Sequence, residues 1–197
     1  MCYADFRWGW VLFLAALLAF PVVSLGQDVV SVDKQATFLL KALSNDRNLK
    51  TRSSGGIRIA VVYKTDKAAE IDTKKEADEV AEAFKKAGAD KVRELPVEAT
   101  AVVFESVADL LKQVDGKKFN GLYIHSSMAS ALSSVQQVTR GRKIPSFGSS
   151  KQLVEQGASI AVYLANGKPK LVVNLRASKV EGLALAAQLL RISTVIK

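Results

Sequence analysis

The sequence predicts a single-domain α/β fold: a three-layer sandwich with a mostly parallel sheet, a C-terminal antiparallel hairpin and a closing helix. In the middle of the chain, short runs rich in branched apolar residues alternate with amphipathic segments at helical spacing, which is typical of a doubly wound sheet. Near the end, Asn166-Gly167 separates two apolar runs. This pair is the strongest short-range hairpin signal, because both residues tolerate the positive φ angles of a type I′ turn.

The individual elements follow from local patterns taken in chain order. The first predicted strand, Ile57 to Tyr63, is almost continuously apolar, as expected of a strand covered on both faces. Thr73-x-x-Glu76 predicts a capping box at the start of the next helix, and Gly88 predicts the end of that helix. The other strands are predicted at 91–97, 119–125, 144–148, 159–165 and 170–174, the other helices within 27–48, 102–114, 128–138 and 149–156, and a closing helix from Val180 to Ile196-Lys197.

The first 26 residues have the features of a secretory signal peptide. Arg7 precedes an apolar run, and Ser24 and Gly26 are spaced like a cleavage site. The run from Trp8 to Val23 is 16 residues long, shorter than the ~20 residues that a membrane-spanning helix needs, which argues against the alternative of an uncleaved anchor. We therefore expect export to the periplasm, cleavage after Gly26, and a mature domain at residues 27–197 with no stable membrane anchor.

Cysteine usage and charge narrow the function classes. Cys2 is the only cysteine and lies in the segment expected to be removed, so the mature chain must be stabilised by an apolar core rather than by disulfides. The formal net charge is +9. An exported basic protein meets anionic lipids, cell-wall polymers or acidic partner domains. Because Lys and Arg are scattered along the chain, an ordinary solvated basic surface is the favoured interpretation. The chain lacks a set of aromatic residues for base stacking, and we expect no nucleic-acid binding.

The candidate binding residues lie where two predicted strands end. Open α/β sheets bind ligands at the carboxyl ends of their strands. The chain has a single histidine, and it lies at one of these ends. The candidate ligand- or partner-binding residues are His125, Ser126, Ser127 and Met128 after one strand, and Phe147, Gly148, Ser149 and Ser150 at the end of the next.

These residue types do not predict a catalytic or metal site. A serine beside His125 could in principle form a nucleophile and base, but adjacent residues on a strand point to opposite faces, and no Gly-x-Ser-x-Gly elbow is present. One histidine and no mature cysteine leave no zinc or copper ligand set. Gly148-Ser-Ser-Lys151 could hold an anion, but helix capping by Ser149 or Ser150 is the favoured interpretation. We expect no enzyme, no cofactor and no metal.

Four motifs in the C-terminal half resemble a known family. They are Ile144-Pro-x-Phe-Gly, Gly157-Ala-Ser-Ile-Ala-Val, Asn166-Gly-Lys-Pro-Lys-Leu-Val-Val-Asn-Leu175, and Gly182 followed by Ala186-Ala-Gln-Leu-Leu190. Their order and spacing resemble the YfiR family of exported bacterial proteins (domain of unknown function 4154), over roughly Val32 to Ile196.

The resemblance implies a periplasmic regulator that works by contact. The best understood member represses a membrane-bound diguanylate cyclase by binding its periplasmic portion, which restrains cyclic-di-GMP signalling and biofilm output. For this chain, the implied partner is the periplasmic domain of a membrane signalling protein, and a homodimer is a further association that the resemblance allows. The alternative is a small solute-binding component of a transport system, although the 171 residues left after cleavage (197 minus 26) are few for two lobes around a cleft.

Overall fold

The computed structural model describes residues 30–65 and 72–197; the predicted signal peptide lies outside the described residues. A seven-stranded sheet forms the middle layer. Its strands are β1 (Ile57–Tyr63), β2 (Val97–Val103), β3 (Gly121–Ile124), β4 (Ser146–Gly148), β5 (Ile160–Ala165), β6 (Lys168–Asn174) and β7 (Thr194–Ile196). The helices are α1 (Val32–Ser44), α2 (Leu49–Arg52), α3 (Thr73–Ala87), α4 (Val107–Lys117), α5 (Leu132–Arg142), α6 (Lys151–Glu155), α7 (Leu175–Val180) and α8 (Ala187–Ile192), with a 3₁₀ helix at Ser126–Ala131.

The strand order is β2-β1-β3-β4-β5-β6-β7. Strands β1 to β5 are parallel, β6 is antiparallel to β5, and β7 is parallel to β6. The chain passes from β1 to one side and then returns to β3 on the other side, so β1 and β3 form the topological switch point of the sheet. Below, the carboxyl edge is the side of the sheet where β1 to β5 end, and the amino edge is the side where they begin.

Two apolar cores lie on the two faces of this sheet. In β1, alternate side chains enter opposite cores: Ile59 and Val61 lie on one face, and Ala60 and Val62 lie on the other. Helices α1, α3 and α8 cover the first face, while α4, α5 and α6 cover the second. This arrangement confirms the predicted three-layer sandwich. Within the described residues, no helix is both long and apolar enough to cross a bilayer.

The predicted hairpin is confirmed. Asn166 and Gly167 have φ angles of 52° and 72°, and Ala165 pairs with Lys168 across the turn. Both central residues therefore adopt the left-handed conformation that a type I′ turn requires.

The second strand was predicted too early, at 91–97. In the structure Val92 and Leu95 exchange two backbone hydrogen bonds of 2.9 and 3.0 Å, and Arg93 and Glu94 between them have positive φ angles of 50° and 72°. This tight turn delays the strand, so β2 occupies residues 97–103, and α4 begins at Val107, within the predicted range of 102–114. Ser106 is its N-cap and accepts a hydrogen bond from the backbone N–H of Asp109.

The prediction of a single closing helix is also wrong. The chain forms α7, breaks at Gly182, forms α8, and ends in β7, which pairs with β6 through Thr194 to Ile196. Gly182 has a φ angle of +79°, which a helix interior does not accommodate. The preceding Glu181 is fully buried, and its polar contacts hold the chain in this break.

Candidate functional site

The structure brings the two candidate loops together at the carboxyl edge. Strands β3 and β4 are neighbours, with Ile124 paired to Gly148. The backbone N–H of Ser149 donates a 3.1 Å hydrogen bond to the carbonyl of Ile124. The loop that begins at His125 therefore lies beside the loop that begins at Ser149, as the topology rule for parallel strands predicts.

His125 lies at the switch point and is held by three segments of the chain. Its Nε2 atom is 3.2 Å from Oε2 of Glu76, in the first turn of α3. Its Nδ1 atom accepts a 3.3 Å hydrogen bond from the backbone N–H of Ser127 and lies 3.0 Å from the Ser127 hydroxyl. That hydroxyl in turn accepts a 3.0 Å hydrogen bond from the backbone N–H of Lys64, just after β1. His125 thus connects the ends of β1 and β3 to α3.

These partners indicate the tautomer of the imidazole. Because Nδ1 accepts from the amide of Ser127, the proton of the neutral ring is on Nε2, where it can be donated to Glu76. Only 6% of His125 is exposed. Burial lowers the pKa of His125 below its usual value, and the Glu76 carboxylate opposes that change.

Glu76 is available for this contact because the predicted capping box does not form. The N-cap of α3 is Asp72, whose side chain accepts hydrogen bonds of 3.1 Å from the backbone N–H groups of Lys74 and Lys75. Thr73 is already the first helical residue. The Glu76 side chain therefore points its carboxylate to His125 instead of back to the helix start.

Three of the candidate residues are buried beneath the carboxyl edge. Met128 and Phe147 are both fully buried and belong to opposite cores. Gly148 is buried, and a Cβ atom there would come within 2.9 Å of Cβ of Leu153. These residues shape the loops, but they offer no surface to a partner.

The accessible candidates are the serines. Ser126 is exposed, and Ser127, Ser149 and Ser150 are half-buried. Ser150 is the N-cap of α6, and its Oγ accepts a 3.4 Å hydrogen bond from the backbone N–H of Leu153. The capping interpretation of this segment is thereby confirmed.

A cleft of about 520 Å³ opens beside Ser149 and Ser150. It lies between the start of α6 and the β5–β6 hairpin, and Tyr163 and Asn166 contribute to its wall. Lys151 places its Nζ atom 5.7 Å from the centre of the Tyr163 ring, a cation–π contact. Within the described part of the chain, the Ser149 hydroxyl is buried and has no hydrogen-bond partner. The same region contains no group of three or more His, Cys, Asp or Glu side chains placed to hold a metal ion.

Sequence reasoning missed Glu181, a buried carboxylate at the amino edge. It accepts hydrogen bonds of 2.7 Å from the Thr139 hydroxyl and 2.8 Å from the backbone N–H of Ser146, and it also accepts from the hydroxyls of Ser146 and Ser159. Burial raises the pKa of Glu181, and these donors oppose the rise. A carboxylate inside the apolar arc that follows Val180 was the signal that could have identified it.

A second missed carboxylate, Asp46, holds the other side of the same segment. It is fully buried, forms an ion pair with Arg52, and accepts a 2.8 Å hydrogen bond from the backbone N–H of Ala184. Arg52 also donates a 3.3 Å hydrogen bond to the carbonyl of Gly182. Residues 181–185 are therefore clamped between two buried carboxylates, which fixes the path from α7 to α8.

The family comparison agrees with the resemblance stated from the sequence. The model of the YfiR/HmsC-like family (domain of unknown function 4154) matches residues 49–194 of the 197-residue chain. No curated protein matches the sequence.

Solved structures share the fold at low sequence identity. An ABC domain in complex with L-Trp from Streptococcus pneumonia has a TM-score of 0.55 at 18% identity, and a conserved domain protein from Vibrio cholerae O1 biovar El Tor has 0.56 at 19%; each match covers 84% of this chain. The ligand-free, open form of a substrate binding protein with adhesive properties from Clostridium difficile has 0.54 at 16% over 85% of this chain. The chain spans about 60% of the length of each of these proteins.

Proposed function

Since the chain belongs to the YfiR/HmsC-like family, which supports a periplasmic regulatory role in general, we propose that it binds the periplasmic domain of a membrane signalling protein. The target is a diguanylate cyclase or a sensor of the same membrane class, and the output is contact without catalysis. The carboxyl edge, with the loops that begin at His125 and Ser149, is the surface that meets the partner.

This proposal rests on the contacts that His125 makes within its own chain. Both ring nitrogens contact groups of the same chain, Glu76 on one side and Ser127 on the other. The ring is also almost fully buried. A general base needs a nitrogen within hydrogen-bond reach of a substrate proton, whereas a structural link between three segments needs the contacts that His125 makes. This supports a rigid recognition edge.

Ser127, His125 and Glu76 contact one another in the order of a hydrolytic triad, but the other contacts of Ser127 argue against a catalytic role. Ser127 lies two residues after His125, at the start of the same 3₁₀ helix, where its backbone N–H is capped by the imidazole. Its hydroxyl also accepts from the backbone N–H of Lys64. Both contacts fix the turn, so we assign this group a positioning role. A fluorophosphonate probe should not label Ser127; labelling that is lost in Ser127→Ala would refute this part of the proposal.

Solute binding is the second candidate function, and the cleft beside Ser149 favours it. Its volume of about 520 Å³ falls within the range of about 300–1,000 Å³ typical of small-molecule sites. A polar ligand there could satisfy the buried Ser149 hydroxyl. Thermal-shift screening against amino acids and nucleotides separates the two functions, because tight solute binding together with no partner binding would favour transport.

Two matched serine substitutions test the partner surface. Ser126 is exposed at the carboxyl edge, and Ser54 is exposed at the amino edge, before β1. The exported protein is titrated against purified periplasmic domains of the host's membrane cyclases and sensor kinases. We expect Ser126→Trp to weaken binding at least tenfold, the equivalent of about 1.4 kcal/mol, and Ser54→Trp to leave it unchanged. Equal loss in both variants, or binding to none of these domains, would contradict the proposal.

A further inference from the structure

We infer that a basic groove at the amino edge binds the phosphate groups of an anionic lipid surface and orients the protein on the membrane that holds its partner. This inference rests on the proposed function, because a membrane partner brings the protein close to lipid headgroups. The groove has a volume of about 370 Å³. We call it the amino-edge groove; its polar and basic lining includes Arg52, Arg58, Lys118, Asn120, Arg142 and Lys143.

Basic side chains outnumber acidic ones in the lining of the groove. Five basic side chains and one carboxylate, Asp115, line it. By contrast, five carboxylates and three lysines line the groove along the outside of α1 and α3. The positive charge of the protein is therefore distributed unevenly over its concave surfaces, and the amino-edge groove has an excess of basic side chains.

The arginines and the lysines of the groove have different roles. Arg142 forms two hydrogen bonds of 2.9 and 2.7 Å with Asp115, Arg58 contacts Glu98 at 3.2 Å, and Arg52 pairs with the buried Asp46, just inside the groove. Among the ion pairs of the described residues, none includes Lys118 or Lys143, and both are exposed. The arginines thus form a fixed frame, and the two lysines supply the charge available to an anion.

The backbone of the two lysines is a second, independent observation. Lys118 is the C-cap of α4 and Lys143 is the C-cap of α5, both in the left-handed conformation with φ angles of 54° and 53°. Helices usually place glycine or asparagine at such a position, because a Cβ atom makes this conformation unfavourable. Two neighbouring helices therefore bear the same strain with the same residue type. Lys91, Arg93 and Glu94 also have positive φ angles, in the segment between α3 and β2. Lys118 and Lys143 share one groove, and we take their strain as retained for what the side chains do there.

A membrane surface fits these observations better than an acidic protein. The long flexible stem of an exposed lysine suits phosphates whose positions are not fixed, whereas a protein partner needs matched, rigid geometry at the centre of its interface. The groove lies at the amino edge, opposite to the loops of His125 and Ser149. A lipid bound there leaves the carboxyl edge free for the partner domain.

Vesicle binding tests the inference with a matched control. The exported protein is co-sedimented with vesicles of pure phosphatidylcholine and of phosphatidylcholine mixed with phosphatidylglycerol. We expect binding only to the anionic vesicles and loss of binding at about 1 M salt, where charges are screened beyond ~3 Å. Lys118→Gln and Lys143→Gln should each lower the affinity about fivefold, and the double variant about 25-fold, because each headgroup-proximal lysine contributes on that order.

The control removes the same charge from the opposite edge. Lys168 and Lys170 are exposed on β6 near the hairpin, and the double variant Lys168→Gln with Lys170→Gln should retain binding. Equal loss in both double variants would show attraction to net charge alone and overturn the inference, as would binding to phosphatidylcholine. Groove-dependent binding of an acidic partner domain without vesicle binding would also overturn it. Lys118→Gln and Lys143→Gln should leave binding to the purified partner domain in solution unchanged. The vesicle experiment can therefore fail while the proposed function still holds.

Discussion

Nε2 of His125 and Oε2 of Glu76 lie 3.2 Å apart across the topological switch point of the sheet. This contact joins α3 to the loop after β3. It is formed between the chain's only imidazole and a carboxylate that helix capping does not use. The rigidity of the proposed recognition edge therefore depends on an imidazole whose pKa is lowered by burial.

The free energy of unfolding should fall on acidification because His125 becomes protonated. Burial lowers the folded-state pKa of His125 below 6.5, so the unfolded chain binds the proton more readily between these two values. The contribution to stability is present above pH 6.5 and declines as the pH falls toward the folded pKa. NMR titration follows the single imidazole directly. Glu76→Gln should lower the pKa of His125 further, because it removes the opposing attraction; an unchanged or higher pKa would refute the contact.

Glu181 should have the opposite dependence on pH. Burial raises its folded-state pKa above 4.5, so the folded chain holds the proton more tightly. The contribution of Glu181 to the free energy of unfolding therefore decreases as the pH rises from 4.5 toward the folded pKa. Denaturant titrations across that range measure the slope, and stability should decrease less with rising pH in Glu181→Gln than in the unmodified chain.

Removal of the Glu181 carboxylate should also be costly at any pH. Glu181→Ala removes the acceptor of the Ser146 backbone N–H and of the Ser146 and Ser159 hydroxyls, all of them buried, and we expect a loss of about 3 kcal/mol in the free energy of unfolding. The exposed Glu79 on α3 is the control, and Glu79→Ala should change stability by less than about 0.5 kcal/mol. Equal effects would show that the buried network does not stabilise the fold.

Local patterns predicted β1 and the hairpin because their signals act over a few residues. Strand β2 was misplaced for two reasons. It is the edge strand, and its residues Val97 to Val103 combine apolar side chains with the polar or helix-favouring Glu98, Ala99 and Thr100. The turn before it depends on positive φ angles at Arg93 and Glu94, residue types that give no sign of such a conformation.

The candidate site was predictable to the extent that topology determines it. Parallel strands end at one edge, so the loops of His125 and Ser149 had to be neighbours once β3 and β4 were paired. The contact with Glu76 was not predictable, because Thr73-x-x-Glu76 matches a capping box and only the structure shows that Asp72 caps α3. Glu181 was assigned to a helix that does not continue through Gly182, and long-range contacts alone reveal its role.

Close packing at the end of β4 gives a fourth prediction. A Cβ atom at Gly148 would lie 2.9 Å from Cβ of Leu153, so Gly148→Ala should force α6 away from the strand end. We expect a loss of about 1–3 kcal/mol by thermal or denaturant unfolding. Gly141 in α5 has no atom within 4 Å of the same added group, and Gly141→Ala should be neutral or stabilising by up to about 1 kcal/mol. Equal destabilisation in the two variants would contradict the crowding argument.

The left-handed lysines predict that stability and lipid binding change in opposite directions. Lys118→Gly removes the strain of a Cβ atom at a φ angle of 54° and should raise the free energy of unfolding by about 1 kcal/mol. The same variant loses a charge of the amino-edge groove, so its affinity for phosphatidylglycerol vesicles should fall.

Lys117 is the last residue of α4 and is the matched control. Lys117→Gly should destabilise the helix by up to about 1 kcal/mol, because no strain is relieved there. Unfolding curves and vesicle co-sedimentation on the two variants measure both effects, and a destabilised Lys118→Gly would show that the lysine conformation carries no strain.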